Sequence, residues 1–188
     1  VSIIQYNGTQ YEIAEFRTDK SSSDHRHANV SLGASLEADL LRRDFTINAL
    51  AYDISNGQIV DVLGGICVSD IQNGVLRTVG DSYTRFTEDA LRVLRAIRFS
   101  VTFGFPMNSS LSAGIQKVLD YSPELFRVLS AERKVAELNK IFSKDTRGIS
   151  VFKLLFSYKG VNGTLFDMLF PNVSKCEGFQ ANLNLFLY

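Results

Sequence analysis

The hydrophobic pattern changes period along this chain, and that change limits the possible folds more than any other feature. Up to about residue 79 the apolar residues fall in short strand-like runs broken by turn residues; beyond it they recur at helical spacing. Residues 1–6 and 9–16 flank Asn7-Gly8, and residues 49–54 and 58–62 flank Ser55-Asn56-Gly57. Both are hairpin signals, because glycine accepts positive φ. Two hairpins predict a small mixed sheet. Between them, residues 19–29 are rich in Ser, His and charge and read as a loop, and Ser35 stands where it can cap a short helix ending near Arg43. Gly64-Gly65 and Cys67 read as a tight turn.

In the second part, Ala90, Val93, Leu94 and Ile97 stand at i, i+3, i+4 and i+7, behind a Thr87 cap with Glu88 and Asp89 in the first turn. A further helix is predicted over residues 110–121. Another follows Ser130, with Ala131, Val135, Leu138 and Phe142 as its apolar face and Glu132, Arg133 and Glu137 on its polar one. Residues 151–170 carry Leu and Phe around Gly160, Gly163 and Pro171 and read as short helices. Phe156, Phe166, Phe170, Phe179 and Phe186 read as core, since stacking on bases would need aromatics on an exposed basic face.

Composition excludes some classes. At 188 residues and 45% hydrophobic the chain can bury a core. Its 20 Lys and Arg balance 20 Asp and Glu, so an anionic partner must be held by a local cluster and not by a global field. Cys67 and Cys176 lack the spacing of a disulfide framework or zinc site, and His25 and His27, flanking Arg26, read as part of a solvated loop. No apolar run reaches bilayer length and no signal-peptide pattern opens the chain. The expectation is a protein with reduced thiols and no membrane partner, cytoplasmic, or mitochondrial in a eukaryote. A start at Val suggests a piece of a longer protein.

Two stretches carry chemistry. Residues 42–53, Arg-Arg-Asp-Phe-Thr-Ile-Asn-Ala-Leu-Ala-Tyr-Asp, set polar groups of fixed geometry against an apolar strand pattern. In residues 85–98, Glu88, Arg92 and Arg95 at i, i+4 and i+7 share one helical face, with Asp89 three residues before Arg92. Cytosine and adenine each present an amino donor beside a ring-nitrogen acceptor. A carboxylate and a guanidinium side by side complement that edge and mismatch guanine and uracil, a discrimination of about 1–3 kcal/mol per bidentate contact. The plain alternative is a surface ion pair worth about 0.2–0.5 kcal/mol. For the second stretch alone, the plain alternative weighs more.

Together the two stretches resemble the bacterial and eukaryotic class of tRNA nucleotidyltransferases, the CCA-adding enzymes, and their relatives the bacterial poly(A) polymerases. The resemblance covers residues 11–142. It implies an α+β fold: the C-terminal part of an incomplete nucleotidyltransferase-type mixed-sheet head over residues 1–83, an all-helical nucleotide-templating neck over 84–144, and the start of a helical body over 145–188. It implies that Arg42, Arg43, Asp44 and Asn48 contact ribose and phosphates. That suits guanidinium for phosphate oxygens and carboxylate for a ribose hydroxyl; the plain alternative is that Arg42 and Arg43 complement the end of the preceding helix.

The family's templating motif, Glu-Asp-x-x-Arg, is matched by Glu88, Asp89 and Arg92, with Asp89 and Arg92 reading the base and Arg95 helping to hold the triphosphate. Glu132, Arg133 and Glu137 match a supporting element, and Asp24 and Arg26 a flexible loop that switches specificity between C and A. Glu12 stands where the family has a catalytic, Mg²⁺-binding Glu, a solvent-facing strand Glu being the plain alternative; Ala14 and Glu15 replace the family's usual pair of Thr. The family's Gly-rich turn and Asp-x-Asp pair should precede these residues, and no Asp-x-Asp occurs in the chain. Two-metal phosphoryl transfer needs those carboxylates, so this chain alone is expected to be inactive. The first motif is expected to be disordered, truncated or on another chain, and a helical tRNA-binding tail to lie beyond Tyr188. The implied activity is CCA addition to the tRNA 3′ end from CTP and ATP; the alternatives are a poly(A) polymerase using ATP alone and a non-catalytic nucleotide- or RNA-binding remnant.

Overall fold

A computed structural model describes residues 1–20, 29–142 and 149–174. Strands β1 (Ser2–Tyr6) and β2 (Thr9–Ile13) pair antiparallel around Asn7-Gly8. Both turn residues have positive φ, 48° and 77°, as the tightest hairpin turns require. Register puts Ile4, Tyr6, Tyr11 and Ile13 on one face and Ile3, Gln5, Gln10 and Glu12 on the other. Strands β3 (Arg17–Lys20) and β4 (Asn29–Leu32) form a second antiparallel pair, followed by α1 (Leu36–Leu41), where the Ser35 hydroxyl accepts the Ala38 N–H at 3.1 Å. Strands β5 (Leu50–Asp53) and β6 (Gln58–Asp61) make the third pair. Among the described residues the strands pair two by two in separate antiparallel ladders and join no mixed sheet.

Gly64 and Gly65, at φ 65° and 90°, make the expected turn, but Cys67 lies beyond it in α2 (Ile66–Asn73). Periodicity missed this helix because Ile, Val, Ser and Asp are middling helix formers. Asp61 fixes its entry by accepting the N–H groups of Leu63 at 2.9 Å and Val68 at 3.1 Å.

The segment after α2 returns to the di-arginine stretch: Thr46 N–H donates to the Arg77 carbonyl at 2.9 Å and Val79 N–H to that of Asp44 at 3.1 Å. It leads into α3 (Ser82–Glu88), capped by Asp81, and then α4 (Leu91–Phe103). Two expectations change here. Thr87 caps nothing; its hydroxyl donates back to the Thr84 carbonyl inside α3. Glu88 and Arg92 belong to different helices, because Asp89 is extended at φ −155°, ψ 102° and breaks the run. Asp89 instead starts α4, accepting the Leu91 N–H at 3.1 Å.

Helices α5 (Ser109–Tyr121), α6 (Glu124–Arg127) and α7 (Ala131–Phe142) follow, the last capped by Ser130. After α8 (Ile149–Ser157), a short ladder of β7 (Lys159–Gly160) and β8 (Gly163–Thr164) precedes α9 (Leu165–Leu169) and α10 (Pro171–Ser174). The main core runs through α3 to α9 and includes Phe45, whose ring meets Phe99 edge-on with centroids 5.6 Å apart. Phe156, Phe166 and Phe170 pack in or against it; Phe179 and Phe186 lie outside the described residues. Burying a side chain of this size contributes about 1.5–3 kcal/mol, so α4 holds the di-arginine stretch by packing as well as by charge.

Candidate functional site

Arg42, Arg43, Asp44, Asn48, Glu88, Asp89, Arg92, Arg95, Arg133 and Glu137 lie around the joint of α1, α3, α4 and α7. Asp39 lies on α1, buried to 3% exposure, and accepts Nε and Nη2 of Arg42 at 3.0 and 2.6 Å and the same atoms of Arg43 at 3.2 and 2.6 Å. Burial alone would raise this carboxyl; the two guanidiniums and the Arg17 N–H outweigh it and bring it down to about 2. Asp44 is also buried. Its Oδ1 accepts its neighbour's Phe45 N–H at 2.9 Å and the Asn48 amide at 3.1 Å, and its Oδ2 takes Nε of Arg95 at 2.7 Å, with Arg95 Nη2 closing the ion pair.

Arg95 also lies 3.7 Å from Glu137 on α7. Glu137 accepts Nε of Arg98 at 2.7 Å and Nζ of Lys140 at 2.9 Å. Burial pushes its carboxyl up, yet the Lys140 hydrogen bond and the Arg98 charge hold it below the ordinary value. Glu88 is shared by Arg85 at 3.1 Å and Arg92 at 2.5 Å, and is lowered by them against its own partial burial. Arg85 does more: its Nε reaches the Val79 carbonyl at 2.9 Å and its Nη2 the Leu41 carbonyl, so one side chain ties the end of α1 to α3. Across the helix break Asp89 pairs with Arg133 at 2.7 Å.

Asp89 and Arg92 therefore have separate partners, Arg133 and Glu88, yet each keeps capacity to bind. One hydrogen bond falls on each oxygen of Asp89, and Arg92 uses only Nη1 among the described residues. Glu132 is exposed and turns to Ser130 at the start of α7, outside the network. Glu12 stands with Gln5 and Gln10 on the polar face of the exposed β1–β2 hairpin. Asp24 and Arg26, with His25, His27 and Cys176, lie outside the described residues. Sequence reading missed Asp39 and Arg85. The spacing of Asp39, three and four residues before Arg42 and Arg43, carried its signal; the carbonyl contacts of Arg85 depend on tertiary structure and had none.

Residues 1–77 match the family described as the poly A polymerase head domain. The chain is 43% identical over 140 residues to the CCA-adding enzyme of Bacillus pumilus, covering 74% of this chain and 33% of that protein. It is 44% identical over 137 residues to the CCA-adding enzyme of Leuconostoc mesenteroides, covering 72% and 32%. The crystal structure of the Bacillus stearothermophilus CCA-adding enzyme in complex with CTP superposes with a TM-score of 0.74 at 30% identity, over 98% of this chain and 40% of that one. This chain is thus similar over residues 1–77 to the poly A polymerase head domain and over about three quarters of its length to CCA-adding enzymes. It spans about a third of the length of the curated relatives it matches.

The likeness to CCA-adding enzymes raises the question of a divalent metal. Among the described residues no three His, Cys, Asp or Glu side chains stand together as a metal-holding group. The carboxylates at the joint are engaged by arginines, and Glu12 lies on an exposed strand. This donor set does not fit a two-metal site, so the chemistry assigned to these residues is binding and orientation alone. No helix of the described residues is long and apolar enough to cross a membrane.

Proposed function

We propose that the protein containing this chain adds CCA to the 3′ end of tRNA, taking CMP from CTP and AMP from ATP with release of pyrophosphate and with no nucleic-acid template. The observation that carries this is that α4 and α3 reach the di-arginine stretch from the helix break: Arg95 pairs with Asp44, and Arg85, which shares Glu88 with Arg92, donates to the Leu41 carbonyl just before Arg42. Arginine suits phosphate oxygens because its fork offers paired donors at fixed angles. Every lone-pair position of Asp44 is occupied. A ribose hydroxyl must therefore displace Asn48 or Arg95, and Arg95, once released, is free to take a phosphate. The open oxygen positions of Asp89 and the Nη2 of Arg92, neither of them filled by a described residue, supply an acceptor and a donor for the pairing edge of C or A.

In this reading residues 1–83 serve as part of the head, 84–144 as the templating neck and 145–188 as the start of the body, and the protein works in the cytoplasm. Where Mg²⁺ takes part in transfer, carboxylates other than those described here hold it. The test is incubation of the full-length protein with tRNA lacking its CCA end and each nucleotide in turn, followed by product sequencing. Successive addition of C, C and A is expected. A poly(A) tract from ATP alone supports the second reading, poly(A) polymerase, which the match of residues 1–77 to that head domain favours. No extension with any nucleotide, alongside retained nucleotide or RNA binding, leaves the non-catalytic remnant.

A further inference from the structure

We propose that Asp39, which contacts neither substrate nor reacting atoms, is the positioning residue that aims the Arg42–Arg43 pair at the triphosphate; the inference rests on the proposed nucleotidyl transfer. Two adjacent guanidiniums repel each other and carry large rotamer freedom, so without a common anchor they would present no fixed surface. Asp39 supplies the anchor. One oxygen serves each arginine: Oδ1 takes Arg42 at 2.6 Å and Oδ2 takes Arg43 at 2.6 Å. Oδ1 also accepts the Arg17 N–H at 3.2 Å, and Arg42 Nε donates to the Arg17 carbonyl at 2.8 Å, so the anchor is itself fixed to the start of β3.

The geometry also sets which edge of Arg43 faces outward. Asp39 occupies its Nε and Nη2, and the Nη1 amino group has no acceptor among the described residues, while the side chain is 43% exposed. A guanidinium presents two bidentate edges. With one filled from inside the fold, the other is left for an oxyanion. Asp39 therefore governs phosphate affinity while having no bearing on the base, which is read at the Asp89–Arg92 break.

Equilibrium binding of CTP, ATP and inorganic tripolyphosphate to the full-length protein tests this. Asp39→Asn is expected to weaken all three by a common factor of about tenfold, and to do so no longer when Arg42→Gln and Arg43→Gln are both present, because Asp39 acts through that pair. Asp39→Glu, which keeps the charge and moves it by one methylene, should fold and weaken all three to a smaller common extent. Unchanged affinity in a folded variant, a loss confined to one nucleotide, or additivity with the Arg42→Gln and Arg43→Gln pair overturns the assignment. Failure of the unsubstituted protein to bind any of the three removes the nucleotidyl-transfer reading itself. Wild-type binding with indifferent Asp39 variants removes only the positioning role.

Discussion

Asp89 and Arg92 are the two side chains on which base choice turns in the proposed reaction, and each is already held by a partner. Arg133 fixes Asp89 at 2.7 Å and Glu88 fixes Arg92 at 2.5 Å. A held side chain loses little rotamer entropy on meeting a base, so its discrimination is spent on the base edge and not on ordering itself. Asp89→Ala and Arg92→Ala are each expected to reduce the preference for C and A over G and U by about 1–3 kcal/mol, on the order of tenfold to a hundredfold. Single-nucleotide incorporation with all four nucleotides checks this, and unchanged selection in either folded variant would falsify the templating assignment. Cys67 gives a second expectation at this scale. Burial, reinforced by Asp61, pushes its thiol up to about 12, so the thiolate is scarce at neutral pH and Cys67 should resist alkylation until the protein unfolds. Rapid labelling of Cys67 under native conditions would contradict that.

At the scale of elements, the break between α3 and α4 is what separates the sequence reading from the structure. The i, i+4, i+7 spacing of Glu88, Arg92 and Arg95 is real, and Glu88 still meets Arg92, but the two stand on different helices because Asp89 leaves helical geometry. Spacing reports neighbours on an ideal helix and cannot see a one-residue extension. The caps at Ser35 and Ser130 and the Asn7-Gly8 turn were legible because each depends on local hydrogen bonding or φ alone. Helix α2 was not, since its buried contacts come from distant residues: the Cys67 thiol donates to the Ala49 carbonyl, and Asp70 accepts Thr46 Oγ1 at 2.8 Å. The position of α3 also depends on Gly114 in α5, where an added Cβ would stand 2.4 Å from the Cβ of Ser82 and 3.1 Å from its backbone carbon. Gly114→Ala must push α3 away, at a cost of about 1–3 kcal/mol. Because α3 carries Arg85 and Glu88, the substitution should lower the melting temperature and relax base selection together. A lowered melting temperature with selection intact would show that the break keeps its geometry independently of α5.

For the whole molecule, charge pairing and packing join the same parts. Phe45 sits in the helical core, Asp39 on α1 holds Arg42 and Arg43, Asp44 of the same stretch holds Arg95 of α4, Glu88 joins Arg85 of α3 to Arg92 of α4, and Glu137 joins α4 to α7. Acid should therefore loosen the joint and destabilise the fold in one process. Asp39 sets the window. Its folded value of about 2 lies below the ordinary 3.8, so the unfolded chain binds its proton first as pH falls. The stabilisation is complete above pH 3.8, is lost progressively as pH drops toward 2, and amounts to about 2 kcal/mol for this group. Glu88 and Glu137 shift in the same direction and add to the loss. Burial of Asp39 and Glu137 limits screening by salt, so moderate ionic strength should leave the profile largely in place. Thermal unfolding followed by circular dichroism should show a melting temperature nearly level from pH 7 to 5 and falling steeply below about pH 4, with a shallower acid limb in Asp39→Asn. A wild-type profile that stays level to pH 2.5 would mean that these pairs contribute nothing to stability, and that the Phe45 packing and the Arg85 contact with the Leu41 carbonyl hold the stretch against the helices without them.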